Sequence, residues 1–209
     1  MHSSLVFDTT ADLVLENERV LLRPLMQEDA VFLTPYVKAE PALWQYALTP
    51  ITTEEELEQY IATAIEARKL KTAYAFIVFD KLLNKYVGST RFYDLQLSFS
   101  TTQLGYTWYS ESTWGTGLNE HCKFLLLSFA FETIGFERVE FRADNRNKRS
   151  IAAMQKIGCT VEGVMRNHLP TGDGSRRDSI VLSMLKKEWP TIKAGFLARI
   201  KMLDQNKLG

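Results

Sequence analysis

The chain has 209 residues, with 25 basic and 25 acidic side chains and a formal net charge of zero. This balance excludes a nucleic-acid binder that works by bulk electrostatic attraction. The hydrophobic fraction of 45% and charged fraction of 24% exclude wholesale disorder. Two cysteines and three histidines exclude a disulfide framework and make a zinc enzyme improbable, so we expect no metal. No apolar run is long enough to span a bilayer and no secretory signal is recognisable, which predicts a cytoplasmic protein without membrane partners.

The length predicts one domain with extensions. We expect residues 1–17 to form a polar, loosely docked N-terminal extension and residues 18–189 to form the domain. Residues 190–209 are expected to form an amphipathic helical tail, because Ile192, Phe196 and Ile200 recur every four residues.

The first half of the chain predicts three strands and two helices. Thr53 and Glu56 have the spacing of a capping box, which places a helix start at that point. The predicted strands are residues 19–23, 73–79 and 86–94, with 73–79 buried on both faces and a hairpin turn at 82–85. The predicted helices are residues 27–37 and 53–70.

The second half predicts four more strands and two more helices. Asn147 is a suitable N-cap and Gly158 a suitable C-terminal residue for the second of these helices. The strands are residues 102–109, 138–143, 159–166 and 178–185, and the helices are 118–133 and 147–157. Strands interleaved with helices in this way indicate a single mixed α/β layer structure.

The segment from Thr113 to Asn119 is the most informative for function. A strand ends near Tyr109, a turn containing Gly115 and Gly117 follows, and a helix begins. Unpaired backbone N–H groups at a helix N-terminus bind phosphate oxygens, and glycines allow close approach. The segment lacks the Lys-Ser/Thr of a Walker loop and the third glycine of a dinucleotide fingerprint. A simple tight turn remains the alternative.

An ordered set of motifs resembles the GNAT acyltransferase superfamily, in its RimJ/RimL-like N-acetyltransferase branch. The motifs span about residues 19–189, and their order makes the resemblance specific. They are VLLRPL at 20–25, VGSTR at 87–91, LGYTWY at 104–109, WGTG at 114–117, NKRSI at 147–151, KIG at 156–158, EGVMRNH at 162–168 and RD at 177–178.

The resemblance implies a GNAT fold: a central, twisted, mostly antiparallel sheet of about seven strands, splayed between strands four and five and flanked by helices. It implies acetyl-CoA as the donor, with the pantetheine arm along Trp108 and Tyr109 and beside Asn147 and Ser150. The pyrophosphate is expected on the loop and the helix start, at Trp114, Gly115, Thr116, Gly117, Leu118 and Asn119. Ser150 is also a candidate hydrogen-bond donor to the departing thiolate, although an N-cap and a solvated serine explain Asn147 and Ser150 equally well.

No residue stands out as the general base. His168 is the first candidate because its intrinsic pKa suits neutral pH, and Glu162 and Asp178 follow. A structural, hydrogen-bonded imidazole is the alternative for His168. The residues expected at the acceptor are Trp44, Tyr46, Arg91, Arg166, Arg177 and Asp178. A loop-anchoring aromatic pair is the alternative for Trp44 and Tyr46, and a strand-initiating ion pair is the alternative for Arg177 and Asp178.

The implied reaction is direct acetyl transfer from acetyl-CoA to a primary amine in a ternary complex. An α-amine of pKa about 7.8 is roughly one part in ten neutral at pH 7, whereas a lysine amine is about one part in 2,500 neutral. The absence of a clear base therefore favours the N-terminal α-amine of a protein or peptide as acceptor. A small-molecule amine, such as a polyamine or an antibiotic, and a non-catalytic acyl-CoA-binding sensor remain alternatives. A monomer and a homodimer both remain open.

Overall fold

A computed structural model describes residues 5–171 and 174–205 of the chain. Its described part contains an eight-stranded sheet in the spatial order β1-β2-β3-β4-β5-β6-β8-β7. The strands are β1 (Leu15–Glu16), β2 (Val20–Pro24), β3 (Ala73–Asp80), β4 (Lys85–Gln96), β5 (Thr101–Tyr109), β6 (Arg138–Asp144), β7 (Thr160–Pro170) and β8 (Arg176–Leu185). Within these residues only β5 and β6 pair in parallel, so the predicted mixed, mostly antiparallel fold is confirmed. The two-residue strand β1 is the one addition to the seven predicted.

Five helices flank the sheet in the described residues. They are α1 (Ala30–Ala39), α2 (Glu54–Lys69), α3 (Leu118–Ser128), α4 (Lys148–Lys156) and α5 (Trp189–Gln205). The capping box of α2 is confirmed, because Thr53 Oγ1 accepts the Glu56 N–H at 3.2 Å and the Glu56 carboxylate accepts the Thr53 N–H at 3.2 Å. The helix predicted from residue 27 begins as a 3-10 turn. The helix predicted to residue 133 changes to π geometry over Phe129–Ile134.

The sheet opens between β5 and β6. Their pairing is confined to Thr101–Gln103 of β5 and Arg138–Glu140 of β6. The register of β4 against β5 shifts between Ser89 and Arg91, and the backbone of Tyr106 has a positive φ of 49°. This irregularity bends β5, so its C-terminal half leaves β6. The splay expected between the fourth and fifth predicted strands is therefore confirmed.

Two hydrophobic cores cover the two faces of the sheet. Alternate residues of β3 divide between them, with Phe76 and Val78 in one and Ala75 and Ile77 in the other. The core on one face includes α3, α4 and α5, and the smaller core on the other face includes α1 and α2. The prediction that β3 is buried on both faces is confirmed.

Both flanking segments contribute side chains to the larger core. Phe7 is 7% exposed, and its ring centroid lies 5.5 Å from that of Tyr74. Arg68 of α2 holds the same segment by donating from Nε to the Thr9 carbonyl at 2.7 Å. At the other end α5 begins at Trp189 and buries Phe196 in the same core. In the described residues the extension and the tail are therefore integral parts of the packing.

Lys123 is a buried cation at the splay. Its side chain extends from α3, where it is 5% exposed, and Nζ donates to Thr107 Oγ1 of β5 at 2.9 Å. Nζ also lies 5.9 Å from the ring centroid of Phe141 on β6. Burial lowers the pKa of Lys123 from 10.5 to about 8. One pKa unit corresponds to about 1.4 kcal/mol, so keeping this ammonium charged costs the native state on the order of 3 kcal/mol at pH 7.

We predict that Lys123→Met stabilises the fold at pH 7 by on the order of 2 kcal/mol, because it removes this desolvation cost and loses one hydrogen bond. Between pH 8 and pH 10 the native wild-type protein binds fewer protons than its unfolded chain, so wild-type stability rises with pH. The advantage of the variant should therefore shrink over that range in denaturant titrations. The exposed Lys69→Met serves as control and should change stability by less than about 0.5 kcal/mol. A destabilised Lys123→Met at pH 7 would contradict this assignment.

Candidate active site

The open edge of β5 presents unpaired backbone groups. The Ser110 N–H donates to the Val87 carbonyl of β4 at 2.7 Å. Successive N–H groups of a strand point to opposite edges, so the Tyr109 N–H points to the edge from which β6 has diverged. The side chains of Trp108 and Tyr109 are buried in the two opposite cores. What these residues offer a ligand at this edge is therefore their backbone.

The loop after β5 forms an anion-binding concavity. Gly115 and Gly117 have φ values of 73° and 88°, in the left-handed region that favours glycine. Gly117 is the N-cap of α3, and the first helical hydrogen bond runs from the His121 N–H to the Gly117 carbonyl at 3.2 Å. The N–H groups of Leu118, Asn119 and Glu120 precede that bond and have no acceptor within the helix. Phosphate oxygens fit such a set of donors.

A buried ion pair between Arg19 and Asp80 holds this loop through hydrogen bonds to Thr116. Arg19 and Asp80 are 4% and 0% exposed, and the Arg19 fork donates to the carboxylate at 3.0 and 2.7 Å. The same guanidinium donates to the Thr116 carbonyl and to Thr116 Oγ1, both at 3.3 Å. Sequence reasoning missed both residues because no local pattern joins them, although an arginine next to a strand is a weak signal of a buried pair.

A cation–aromatic stack closes the space between the loop and α4. Arg149 Cζ lies 3.4 Å from the ring centroid of Trp114. The indole Nε1–H of Trp114 donates to the Tyr109 carbonyl at 3.0 Å, which fixes the ring over the end of β5. The contact of Arg149 with Trp114 places the positive charge of Arg149 beside the loop.

The start of α4 faces the same region. Asn147 Oδ1 accepts the Ser150 N–H at 3.0 Å, so the N-cap function of Asn147 is confirmed. The Ser150 side chain is partly exposed, and its hydroxyl forms no hydrogen bond with the described residues. Ser150 therefore has a free donor at this end of α4.

The loop after α1 lines a cavity of about 230 Å³ whose opposite wall includes Asp144, Arg146 and Thr171. Tyr46 lines this cavity and is half-buried. Trp44 is 6% exposed, and its ring centroid lies 5.0 Å from that of Trp108. Trp44 thus anchors the loop to β5 at the edge of the cavity. This is the structural role that was considered for Trp44 as the alternative to contact with the acceptor.

Arg91 extends from β4 on the face that carries α1 and α2. It is 5% exposed, and its guanidinium lies 5.1 Å from the ring centroid of Tyr60 and 4.4 Å from that of Tyr106. Its Nε and Nη2 have no hydrogen-bond partner in the described residues. Tyr60 and Tyr106 were not singled out from the sequence, because only the fold brings α2 and the bulge of β5 together.

At the far side of the sheet, Arg177 of β8 and His168 of β7 meet at one serine. Arg177 is buried, its Nε donates to Ser179 Oγ at 2.9 Å, and His168 Nδ1 lies 3.0 Å from the same oxygen. Desolvation, followed by the charges of Arg142, Arg177 and Arg176, lowers the pKa of His168 below 6.5. The imidazole is therefore neutral at pH 7 but a weak base.

Two predicted residues, Asp178 and Arg166, lie apart from Arg177 and His168. Arg177 and Asp178 do not form the ion pair considered as an alternative, because neighbouring strand residues face opposite ways. Asp178 Oδ1 instead accepts the Asn167 N–H at 2.7 Å, where β7 bulges. Arg166 is exposed on β7, and within the described part of the chain it forms no hydrogen bond or ion pair. Neither Arg166 nor Asp178 is brought to the cavity.

Glu162 is unsuited to act as the base. Its carboxylate accepts hydrogen bonds from Arg138 at 2.6 Å and from Ser183 at 2.6 Å. The hydrogen bond from Arg138, followed by that from Ser183, lowers the pKa of Glu162 to about 2. A carboxylate so stabilised in its ionised form accepts a proton poorly.

The two cysteines, Cys122 and Cys159, are unreactive at neutral pH. Both are buried, and burial raises the pKa of Cys122 and of Cys159 to about 12. At neutral pH each is a thiol rather than a nucleophilic thiolate. Across residues 5–171 and 174–205, no group of three or more metal-ligating side chains comes together, and no helix has the length and apolar character needed to cross a bilayer.

Comparison with known proteins identifies the family. The model of the Acetyltransferase (GNAT) domain matches residues 19–160. The chain is 24% identical over 176 residues to the uncharacterized N-acetyltransferase p20 of Bacillus licheniformis, with 84% of this chain and 97% of that protein covered.

Solved structures share the fold. A GCN5-related N-acetyltransferase from Brucella melitensis superposes with a TM-score of 0.82 at 24% identity, covering 90% of this chain and 85% of its own. The ribosomal-protein-S5-alanine acetyltransferase from Vibrio fischeri gives 0.68 at 22% identity, covering 85% and 99%. With the family match over most of the sheet, these findings show that the chain belongs to the GNAT N-acetyltransferase family, whose members transfer an acetyl group from acetyl-CoA.

Proposed function

We propose that this protein acetylates the N-terminal α-amine of a protein or peptide by direct transfer in a ternary complex. The arrangement that carries the proposal is the end of β5 beyond its pairing with β6, followed by the glycine loop and by the first turn of α3, whose N–H groups have no acceptor within the helix. The name of the Vibrio fischeri structure, which specifies an alanine of a ribosomal protein, supports a protein acceptor.

The donor fits the arrangement at two places. The N–H groups before His121, together with Gly115 and Gly117, suit the pyrophosphate. The Tyr109 edge suits the amide groups of a pantetheine arm, which would add to the sheet as an extra strand does. Acetyl-CoA supplies an activated acyl group when bound. Arg19 positions Thr116 in the loop without reaching the donor itself.

The chain's own contribution to the reaction is positioning and polarisation. Backbone N–H groups near Tyr109 are suited to stabilise negative charge that develops on the thioester oxygen. Holding the amine next to the thioester supplies much of the remaining acceleration. As the amine attacks, a C–N bond forms and the C–S bond breaks. The amine proton passes to water or to a base, and the thiolate leaves near the free hydroxyl of Ser150.

The burial of both cysteine thiols favours direct transfer over a route through an acyl-enzyme intermediate. Cys122 and Cys159 are buried and protonated at neutral pH. A covalent acyl carrier needs an accessible, activated nucleophile, which neither cysteine provides.

A matched pair of loop variants tests the phosphate site. An ideal Cβ at Gly115 has no atom within 4 Å, whereas one at Gly117 would lie 3.0 Å from Leu203 Cδ1, so Gly115 is the better position. Asn and Asp both tolerate a positive φ and have the same shape. Gly115→Asp should bind CoA at least about tenfold more weakly than Gly115→Asn, about 1.4 kcal/mol, as measured by calorimetry. Added salt should narrow this gap. Equal affinities would remove the pyrophosphate from this loop.

The acceptor is tested with two peptides that differ only in their N-terminus and in one internal position. The first has a free N-terminus and no lysine, and the second has a blocked N-terminus and one internal lysine. Thiol release and mass spectrometry should show acetylation of the first alone, because far more of an α-amine is neutral at pH 7. Preferential acetylation of the lysine would reject the α-amine proposal, and turnover with neither peptide but with small amines would favour a small-molecule acceptor.

The pH profile distinguishes a titrating amine from a titrating base. The pKa of His168 lies below 6.5, so the imidazole is already neutral at pH 7. We expect kcat/KM to rise up to about pH 8 as the free amine loses its proton. His168→Gln should keep this rising limb and change the rate modestly. Disappearance of the limb in His168→Gln would identify His168 as the base.

A further inference from the structure

Arg91 combines a buried charge with an unused hydrogen-bonding edge. Its side chain is 5% exposed, and Nε and Nη2 have no partner among the described residues. The rings of Tyr60 and Tyr106 flank the guanidinium at 5.1 and 4.4 Å. Aromatic faces offset part of the cost of burying a cation, but they offer no acceptor to N–H groups in the guanidinium plane. Buried donors without an acceptor are rare and call for one.

Two other arginines of the chain, the buried Arg19 and the partly buried Arg23, show which acceptor suits this edge. Arg19 donates from the same two atoms, Nε and Nη2, to the two oxygens of Asp80. Arg23 also lies over a tyrosine ring, that of Tyr86 at 4.7 Å, and it has Asp29 as a bidentate partner. The planar fork of arginine matches a carboxylate in both cases. Arg91 has the ring and the fork but lacks the carboxylate.

The surrounding face carries positive charge that its own carboxylates do not balance. Arg177 is 8% exposed and has no ion-pair partner in the part of the chain that the structure describes. Glu140, the carboxylate nearest to Arg142, is shared between Arg142 and Arg138 at 2.6 and 2.9 Å. Asp144 is paired with Arg146 at 2.8 Å. Arg91 and Arg177 are therefore the cations of this face that have no ion-pair partner among the described residues, and an entering anionic group would be attracted to them.

The donors extend to the place where the acceptor is expected. The buried indole Nε1 atoms of Trp44 and Trp108 also have no acceptor in the described residues. Trp108 is paired with Ser89 of β4, two residues from Arg91. At about 3.3 Å per residue, this spacing separates Arg91 from the end of β5 by roughly 7 Å along the strand. In an extended peptide roughly the same distance separates the first residue from the third, and a side chain at the second residue covers the remaining gap by its own length.

We propose that the acceptor carries a carboxylate near its reacting amine and that Arg91 binds this group, with Arg177 adding electrostatic attraction. For the peptide acceptor of the proposed function, on which this inference rests, the carboxylate is an Asp or Glu side chain at the second or third residue. Tyr106 is 46% exposed and covers the guanidinium. Because Arg91 itself is only 5% exposed, binding requires this ring to turn aside so that the ligand reaches the side chain, whose Nε and Nη2 then donate to the carboxylate.

The first test needs only the wild-type protein and two peptides of the same shape, one with side-chain carboxylates and the other with carboxamides in their place. Both have a free N-terminus and an amidated C-terminus, and Glu or Gln occupies the second and third positions. We expect kcat/KM to be at least tenfold higher for the Glu peptide and the difference to shrink with added salt. Equal values would overturn the inference and leave the proposed function standing, whereas no acetylation of either peptide would count against both.

A third peptide locates the source of the carboxylate. It has Gln at both positions but ends in a free carboxylate after the third residue. Activity equal to that of the Glu peptide would support recognition of a carboxylate supplied by a chain terminus. Activity equal to that of the amidated Gln peptide would support a side-chain carboxylate.

Variants assign the effect to Arg91. Arg91→Gln should lower the ratio of kcat/KM for the Glu peptide to that for the Gln peptide from at least tenfold to less than threefold, and Arg91→Lys should retain part of the preference. Arg23→Gln is the matched control, because it removes a tyrosine-stacked arginine that already has a carboxylate partner. It should lower the melting temperature and keep the preference. If Arg91→Gln does not fold, Arg177→Gln should reduce the preference, and an unchanged preference in whichever variant folds would overturn the assignment.

Discussion

The splay between β5 and β6 is the constraint on which the rest of the site depends. Three residues of β5 pair with β6, and then the bulge at Tyr106 turns the strand away. Adjacent strands in a sheet satisfy each other's backbone hydrogen-bonding groups. Where β5 and β6 separate, the backbone donors and acceptors of β5 are left for a ligand to pair with. The two hydrophobic cores stabilise the separated strands, because β5 remains packed against side chains of both cores where it leaves β6. The irregular backbone at Tyr106 thus opens a cleft between the C-terminal half of β5 and β6.

Long-range contacts then fix what surrounds the cleft. Arg19, which precedes β2, reaches across the sheet to hold Thr116 in the glycine loop, and Asp80 at the end of β3 neutralises its charge. Arg149 of α4 stacks on Trp114, and Trp114 in turn holds the last carbonyl of β5. The loop is therefore held from the sheet on one side and from α4 on the other. Preorganised backbone donors of this kind need no rearrangement to receive a phosphate.

Local sequence patterns were sufficient for the elements and for the local geometry of the glycine loop. The Thr53 capping box, the Asn147 cap and the paired glycines each act over a few residues, so spacing alone reveals them. The acceptor side was less predictable. Arg91 meets Tyr60 and Tyr106 only after α2 packs on the sheet, and Arg19 meets a carboxylate 61 residues away. The ion pair of Arg177 and Asp178, which was the alternative to a role at the acceptor, does not form because strand alternation separates adjacent side chains.

The central claim is that the unpaired edge at the end of β5 receives the pantetheine arm of acetyl-CoA. Hydrogen-exchange mass spectrometry on the intact protein tests it directly, because a backbone N–H that gains an acceptor exchanges more slowly. With saturating acetyl-CoA, peptides spanning residues 106–110 should gain protection together with those spanning 115–120. Protection at 115–120 without any change at 106–110 would show that the donor binds the loop but not the β5 edge, and it would contradict the account.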